Sequence, residues 1–232
     1  LAKAPYSANA VVILNMEKIK ASPMGMREGW AKGMEKAFAS GLSRVPPKAT
    51  RFVLAAQIDF EFMNPVWEMA VGTVAQPVSL EELAKARGGI PDTVEGLAGT
   101  ALPNNVFAVQ FDPTTVGAMA PSNRQAVVRW LRDLKSTTNP QLSPYLKRAA
   151  GYSDEAGTEI IMAIDLDGTT QLERVHKRLK EKEFLKEAKV DVAELARLAL
   201  GIQGVRVGVR IKETPFAAIA VDFRDDVSLL AP

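Results

Sequence analysis

The chain has 232 residues, of which 47% are hydrophobic and 24% charged, and this composition is typical of a folded globular protein. Its net charge of +2 gives no electrostatic reason to expect nucleic acid as a partner. With no cysteine and one histidine, His176, the sequence excludes disulfides, thiolate nucleophiles and zinc sites built from several histidines.

The amino-terminal segment predicts a buried strand followed by a helical region. Residues 10–15 form a short apolar run rich in β-branched side chains, which indicates a strand. In the helical region, apolar side chains recur at every fourth position: Met26, Trp30, Met34 and Phe38. A second row at the same spacing consists of glycines: Gly25, Gly29 and Gly33. Because glycine weakens a helix, this row predicts the close approach of another backbone.

Two strands and a helix follow. Apolar residues alternate over 52–58, and a turn at Asn64-Pro65 separates this strand from the next one, at 66–74. A capping box that begins at Ser79 predicts a helix ending at Arg87. These features indicate a continuous β-β-α segment.

The segment 88–121 is rich in glycine and proline. It predicts a hairpin with strands at 93–101 and 106–111, which completes a β-α-β-β-α-β order. That order is typical of the split β-α-β, ferredoxin-like sandwich. The glycine- and proline-rich composition fits a hairpin flap that covers a groove or contacts another chain equally well.

The second half of the chain resembles the first in the order of its elements. A strand over 159–165 is followed by helices and then by a hairpin with strands at 205–211 and 216–223. The corresponding strands are separated by similar lengths of chain in both halves, and each second strand precedes an X-Pro turn. This pattern predicts an internal duplication, although chance similarity between two common β-α-β-β units explains it too.

The expected fold is therefore α+β, with two β-α-β-β (ferredoxin-like) half-units, a mainly antiparallel sheet and helices packed on it. Residues 1–136 form the first unit, with a hairpin and a helix. Residues 137–157 form a linker with a short helix that begins at Ser143 and ends at Gly151. Residues 158–232 form the second, shorter unit.

One local motif carries carboxylates that could do chemistry. The apolar strand that ends in Asp165-Leu-Asp167-Gly-Thr resembles the first motif of haloacid-dehalogenase-type phosphatases. The resemblance implies Asp165 as the nucleophile, Asp167 as the general acid and base, and Mg²⁺ as the partner of the phosphate. Only 63 residues follow Thr169, however, and they predict an antiparallel hairpin instead of the parallel core of that family. The alternative is a strand-to-helix turn.

A basic strand face is the candidate binding site. Arg206, Arg210 and Lys212 alternate with apolar residues, so that they share one face of the strand. If this face is exposed, it could bind an anion or another subunit, or it could prevent unwanted strand pairing. No metal-binding residues and no cofactor motif are predicted.

The arrangement of these strands also resembles that of exported bacterial proteins of unknown function built from repeated α+β units. The residues that carry the resemblance are the 10–15 strand, the Ser22-Pro23 break before the tryptophan-containing helix, and the strands VFAVQF and GVRVGVRI. It implies a periplasmic or extracellular location, with the cytoplasm as the alternative. No apolar run is long enough for a transmembrane helix.

The leading functional hypothesis is a non-enzymatic binding or assembly module that contacts a protein partner or a second copy of itself. The first alternative is the Mg²⁺-dependent phosphatase centred on Asp165 and Asp167. The second is a carrier of a small ligand, with its pocket between the two halves.

Overall fold

The computed structural model describes residues 2–40, 48–62, 64–136, 142–169, 172–181, 183 and 191–224. Its strands are β1 (Ala10–Asn15), β2 (Ala49–Asp59), β3 (Asn64–Val74), β4 (Ile90–Val94), β5 (Leu97–Leu102), β6 (Val106–Asp112), β7 (Thr115–Ala120), β8 (Ile160–Asp165), β9 (Ile202–Arg210) and β10 (Phe216–Phe223). The described helices are α1 (Met16–Ala21), α2 (Pro23–Arg27), α3 (Trp30–Ala39), α4 (Leu80–Arg87), α5 (Arg124–Lys135), α6 (Pro144–Ala156), α7 (Leu172–Lys180) and α8 (Val192–Gly201).

The ten strands form one sheet in the order β10-β9-β8-β1-β2-β3-β7-β6-β5-β4, and every neighbouring pair is antiparallel. The helical segment after β1 leads to β2, and the one after β8 leads to β9, so each joins direct antiparallel neighbours. A split β-α-β unit instead leaves room for a third strand between the two that it joins. The α+β class is confirmed, whereas the ferredoxin-like arrangement of the half-units is not.

Strands from both predicted units belong to this one sheet, because β1 pairs directly with β8. Outward from that ladder, the sheet continues with β2 and β3 on one side and with β9 and β10 on the other. The duplication and the unit boundaries remain predictions. Of the predicted linker, residues 137–141 lie outside the described residues, and most of the rest is α6, which continues past Gly151 to Ala156 and the left-handed Gly157.

The segment 88–121 forms a meander of four strands, β4 to β7. Because these strands pair within the sheet, the segment is not a hairpin flap. Gly96, Pro103 and Pro113 lie in the turns between its paired strands, whereas Pro91, Gly99 and Gly117 lie within strands. Glu95, Gly96 and Asn105 have positive φ values of 52°, 81° and 60°, as short hairpin turns require. The predicted turn between 101 and 106 and the strand that follows it are present, but Glu95 and Gly96 divide the predicted 93–101 strand into β4 and β5, and β7 was not predicted.

Helices α5 and α6 cover one face of the sheet, here called the α5/α6 face. Trp130 of α5 is fully buried there, and its Nε1 donates a hydrogen bond to the Lys3 carbonyl at 2.7 Å. The ring packs edge-on against Phe111, with 5.6 Å between the centroids. A Cβ at Gly117 would lie only 2.7 Å from the indole, so the strand needs glycine at this contact.

The opposite face, here called the α1–α4 face, is covered in part by the first four helices. Met16 and Ile19 of α1 pack with Phe52 and Ile211 in a second buried cluster. Ser22 ends α1 and begins α2, because its Oγ accepts a hydrogen bond from the Gly25 amide at 3.0 Å. The short helices therefore follow the sheet surface closely.

The glycine row does not form a packing seam. Gly25 does approach the backbone at Ile19, but Gly33 faces open space. Gly29 has a φ of 65° and separates α2 from α3. The three glycines thus lie in different local structures, and the equal spacing does not reflect one continuous helix.

The contact between α6 and β9 gives a stability prediction. The Tyr145 ring lies directly on Gly204, where an added Cβ would overlap the ring and the Ile164 carbonyl oxygen. Gly204→Ala should destabilise the fold by about 1–3 kcal/mol through overpacking, as measured by urea unfolding. Gly151→Ala, within α6 and facing open space, is the control and should be neutral or stabilising by about 1 kcal/mol. Equal effects of the two substitutions would contradict this packing.

Candidate functional site

Asp165 and Asp167 lie at the end of β8, and each carboxylate has a structural partner. Asp165 is buried, and its Oδ1 accepts a hydrogen bond from the Asp167 amide at 3.0 Å, which stabilises the turn after the strand. Arg224 Nε lies 3.3 Å from Asp167 Oδ1. No group of three His, Asp or Glu side chains within the described residues could hold a metal ion. The geometry therefore favours the strand-to-helix turn over a phosphotransferase centre.

The position of β8 in the sheet also differs from the phosphatase pattern. Its neighbours β1 and β9 are both antiparallel to it, whereas the family's core has parallel strands joined by crossovers. The hairpin of β9 and β10 is present as the sequence predicted. The resemblance of the five-residue motif is thus not accompanied by the architecture that the chemistry uses.

A polar cluster lies between α6 and the strands β9 and β10. The Tyr145 hydroxyl donates a hydrogen bond to Asp222 Oδ2 at 2.9 Å, and Arg206 Nη2 donates one to Asp222 Oδ1 at 3.2 Å. The Arg206 guanidinium also lies 4.9 Å from the centroid of the Tyr152 ring. Burial, followed by the hydrogen bond to the Asp222 carboxylate, raises the pKa of Tyr145 above its usual range.

The predicted basic face is only partly available for binding. Arg206 is half-buried on the α5/α6 face and forms an ion pair with Asp222, with Nε 3.1 Å from Oδ2. Arg210 lies four residues further along the same face of β9 and is also half-buried, and Lys212 is exposed in the turn that follows. The three cations therefore do not form one continuous exposed surface, since Arg206 is paired with the Asp222 carboxylate within the fold.

A pocket of about 540 Å³ lies on the α1–α4 face, between the sheet and the helices α3 and α4. We call it the α3/α4 pocket. Phe38, Leu83 and Arg87 contribute to its lining from the helices, and alanines of β3, β6 and β7 contribute from the sheet: Ala70, Ala108, Ala118 and Ala120. Its volume is within the range of roughly 300–1,000 Å³ that is usual for small-molecule sites.

Alternation along three neighbouring strands creates this space. Ala70, Ala118 and Ala108 lie directly opposite one another in β3, β7 and β6. Each of these alanines has a large neighbour in sequence whose side chain is buried on the α5/α6 face. These neighbours are Met69, Met119 and Phe107. The large side chains thus fill the core on one face, while the small ones leave room beneath the helices on the other.

The polar groups of the pocket lie towards one end. Glu68 pairs with Ala120 at the carboxyl end of β7, and Asn104 lies in the turn between β5 and β6. Arg87 is the last residue of α4, and the following Gly88 approaches Pro103 in the same turn. At the other end, the Phe52 ring lies against Gly72. The pocket therefore has an apolar interior and a charged, solvent-exposed end.

Arg87 is held in place by α3. Its Nη2 donates a hydrogen bond to the Phe38 carbonyl at 3.1 Å, and its guanidinium lies 5.0 Å from the centroid of the Phe38 ring. The pocket was not predicted from the sequence. The available signal was the alternation of alanine with large apolar residues in three strands, but its meaning depends on their register.

Comparisons with known proteins show the fold of this chain. No family model matches it, and no curated protein sequence is significantly similar to it. Three crystal forms of TP0453, a bacterial protein from Treponema, match it with TM-scores of 0.56, 0.54 and 0.52, each at 12% identity. These matches cover 95%, 96% and 99% of this chain and 79%, 79% and 82% of TP0453. The chain thus shares its fold with a bacterial protein.

Of the helices in the described part of the chain, none combines the length and the apolar character needed to cross a bilayer.

The raised pKa of Tyr145 predicts a pH dependence of stability. Because the folded state holds the phenol proton more tightly than the unfolded state, this contribution is complete below pH 10 and is lost as the pH rises above about 10. Wild type should therefore lose more unfolding free energy than Tyr145→Phe between pH 9 and pH 11, measured by urea denaturation. Tyr6→Phe, at an exposed tyrosine, should retain the wild-type pH dependence. Identical pH profiles for wild type and Tyr145→Phe would contradict the burial of this hydroxyl beside Asp222.

Proposed function

We propose that this protein is a non-enzymatic binding protein that holds a small amphiphilic molecule in the α3/α4 pocket. The observation that carries the proposal is an apolar space of about 540 Å³ whose charged groups lie towards one end. Its lining comes from residues 38–120, so it is not the pocket between the two halves considered from the sequence. An exported location belongs to the same proposal, on the sequence resemblance alone.

The volume indicates the size of the ligand. A volume of about 540 Å³ lies well inside the range of roughly 300–1,000 Å³ that accommodates drug-sized molecules. A ligand of this size could bury most of its apolar surface against the alanine floor and the helix side chains. Each square ångström of apolar surface removed from water contributes about 25 cal/mol, which makes burial of the tail the main source of affinity.

The chemistry of the lining suits binding. Its residue types are mainly aliphatic and aromatic, with one carboxylate (Glu68), one guanidinium (Arg87) and one amide (Asn104). The residues that line the described pocket thus offer charges for orienting a head group, but no hydroxyl or imidazole that could act as a nucleophile. An apolar tail would enter the pocket while a polar head stays at the charged end.

Filling the floor of the pocket should weaken binding. Ala118→Phe places a large ring in the middle of the alanine row and should weaken binding of the neutral fluorescent probe N-phenyl-1-naphthylamine by at least about tenfold. The control is Ala98→Phe, at an exposed position on β5 outside the pocket. Thermal unfolding of both variants would establish that they fold. The absence of probe binding to wild type, or equal binding by the two variants, would refute the proposed function.

The charged end should distinguish head groups. At the solvent-exposed end of the pocket, a unit charge at 4 Å contributes about 1 kcal/mol, or roughly a fivefold change in affinity. Arg87→Gln should therefore weaken displacement of the probe by decanoate about fivefold and leave displacement by decanol unchanged. Glu68→Gln should strengthen the decanoate interaction by removing a like charge. A similar response of both ligands to both substitutions would show that the head group is not bound at this end.

A further inference from the structure

β10 forms an open edge of the sheet. It is the terminal strand in the strand order, and no described residue pairs with its outer side. Its sequence, FAAIAVDF, contains no lysine, arginine or proline, and the only irregularity in its pairing with β9 is at its end, between Asp222 and Phe223. Soluble proteins usually protect an edge with such residues, because unpaired amide and carbonyl groups accept another strand.

The opposite edge, β4, is protected. It has only five residues, and Pro91 removes one amide donor from it. Asp92 is held by Arg124 of α5, with Nε 2.6 Å from Oδ2. Helix α5 packs beside this strand on the α5/α6 face. The two edges of the same sheet therefore differ in the features that prevent strand addition.

Apolar side chains continue up to the open edge on the α1–α4 face. Met162, Val207 and Ile219 lie directly opposite one another in β8, β9 and β10. Ile164, Val205 and Val221 form the next row in the same three strands. Ile219 is 72% exposed, and Met162 and Val221 are exposed as well. These two rows form an apolar patch that ends at backbone with which no described residue pairs.

We propose that two copies of this chain associate through β10, which pairs antiparallel with the same strand of the second copy. A two-fold axis perpendicular to the sheet keeps each face on its own side, so residue 219 of one copy lies opposite residue 219 of the other. In this register Ala218 lies opposite Ala220, and Ala217 lies opposite Val221. The apolar rows of both copies then continue across the interface on one face.

Charge favours a second copy as the occupant. Asp222 is the only charged residue of β10, and it lies on the α5/α6 face, where Arg206 and Tyr145 already bind its carboxylate. Pairing two copies therefore brings no unpaired like charges together on the apolar rows. A charged peptide would gain no complementary group from these rows. Because β4 is protected, the pairing uses the open edges of both copies and closes at a dimer.

Sedimentation velocity over a concentration series tests the dimer. An interface of one strand pair is at the small end of specific interfaces, so we expect reversible association that increases from micromolar to submillimolar concentration. Ile219→Lys should raise the dissociation constant by at least about tenfold. Ile90→Lys is the matched control, because Ile90 lies on β4 and is 71% exposed. A monomeric wild type throughout, or equal effects of the two substitutions, would overturn the proposal.

Cross-linking tests the register without relying on a destabilising variant. The chain has no cysteine, so a single introduced cysteine can form a disulfide only between two copies. Residues directly opposite in antiparallel strands have Cα atoms about 4.5–5.5 Å apart, which suits a disulfide. Ile219→Cys should form a covalent dimer rapidly under mild oxidation, whereas Ala217→Cys and Ile90→Cys should react slowly. Equal rates at the three positions would overturn the register, and neither outcome depends on the α3/α4 pocket.

Discussion

The ladder between β1 and β8 is the interaction on which the rest of the structure depends. It joins two segments that are far apart in sequence, and residues of both strands are buried: Val11, Ile13, Ile161 and Ala163. Because the pairing places β8 and β9 beside the amino-terminal strands, α6 can cover both parts of the sheet. Without it, the described strands would form a sheet of three and a sheet of seven, each with an additional open edge.

A second constraint is the period of two along each strand, which gives the two faces of the sheet different contents. In the centre of the sheet, methionine and phenylalanine fill the α5/α6 face, and alanine occupies the equivalent positions on the other face. Close packing beneath Trp130 and space beneath α3 and α4 are therefore two consequences of one alternating pattern. The core and the proposed ligand site arise from the same strands.

Charged residues that could perform chemistry are largely used to hold the fold together. Asp165 stabilises the turn that follows β8, and Asp222 links α6 to β9 through Tyr145 and Arg206. Buried or half-buried carboxylates need such partners, because leaving them unpaired is energetically costly. Arg87 differs, since its anchor is a carbonyl and an aromatic ring, and no ion pair joins it to another described residue.

The sequence by itself determined the α+β class, most of the strands and the absence of disulfide chemistry, because these depend on local alternation, turn residues and composition. Within 88–121 it predicted the turn at Pro103-Asn104-Asn105, but not the turn at Glu95-Gly96 or the strand β7. The equal spacing of Gly25, Gly29 and Gly33 led to a wrong prediction of one packing seam, since periodicity cannot show that a left-handed residue divides a helix in two.

Only the tertiary structure decided that Arg206 is paired, that three alanines meet beneath α4, and that β10 is left at an edge. Each of these depends on which strands are neighbours and in what register, and that choice is made by contacts between residues far apart in the chain.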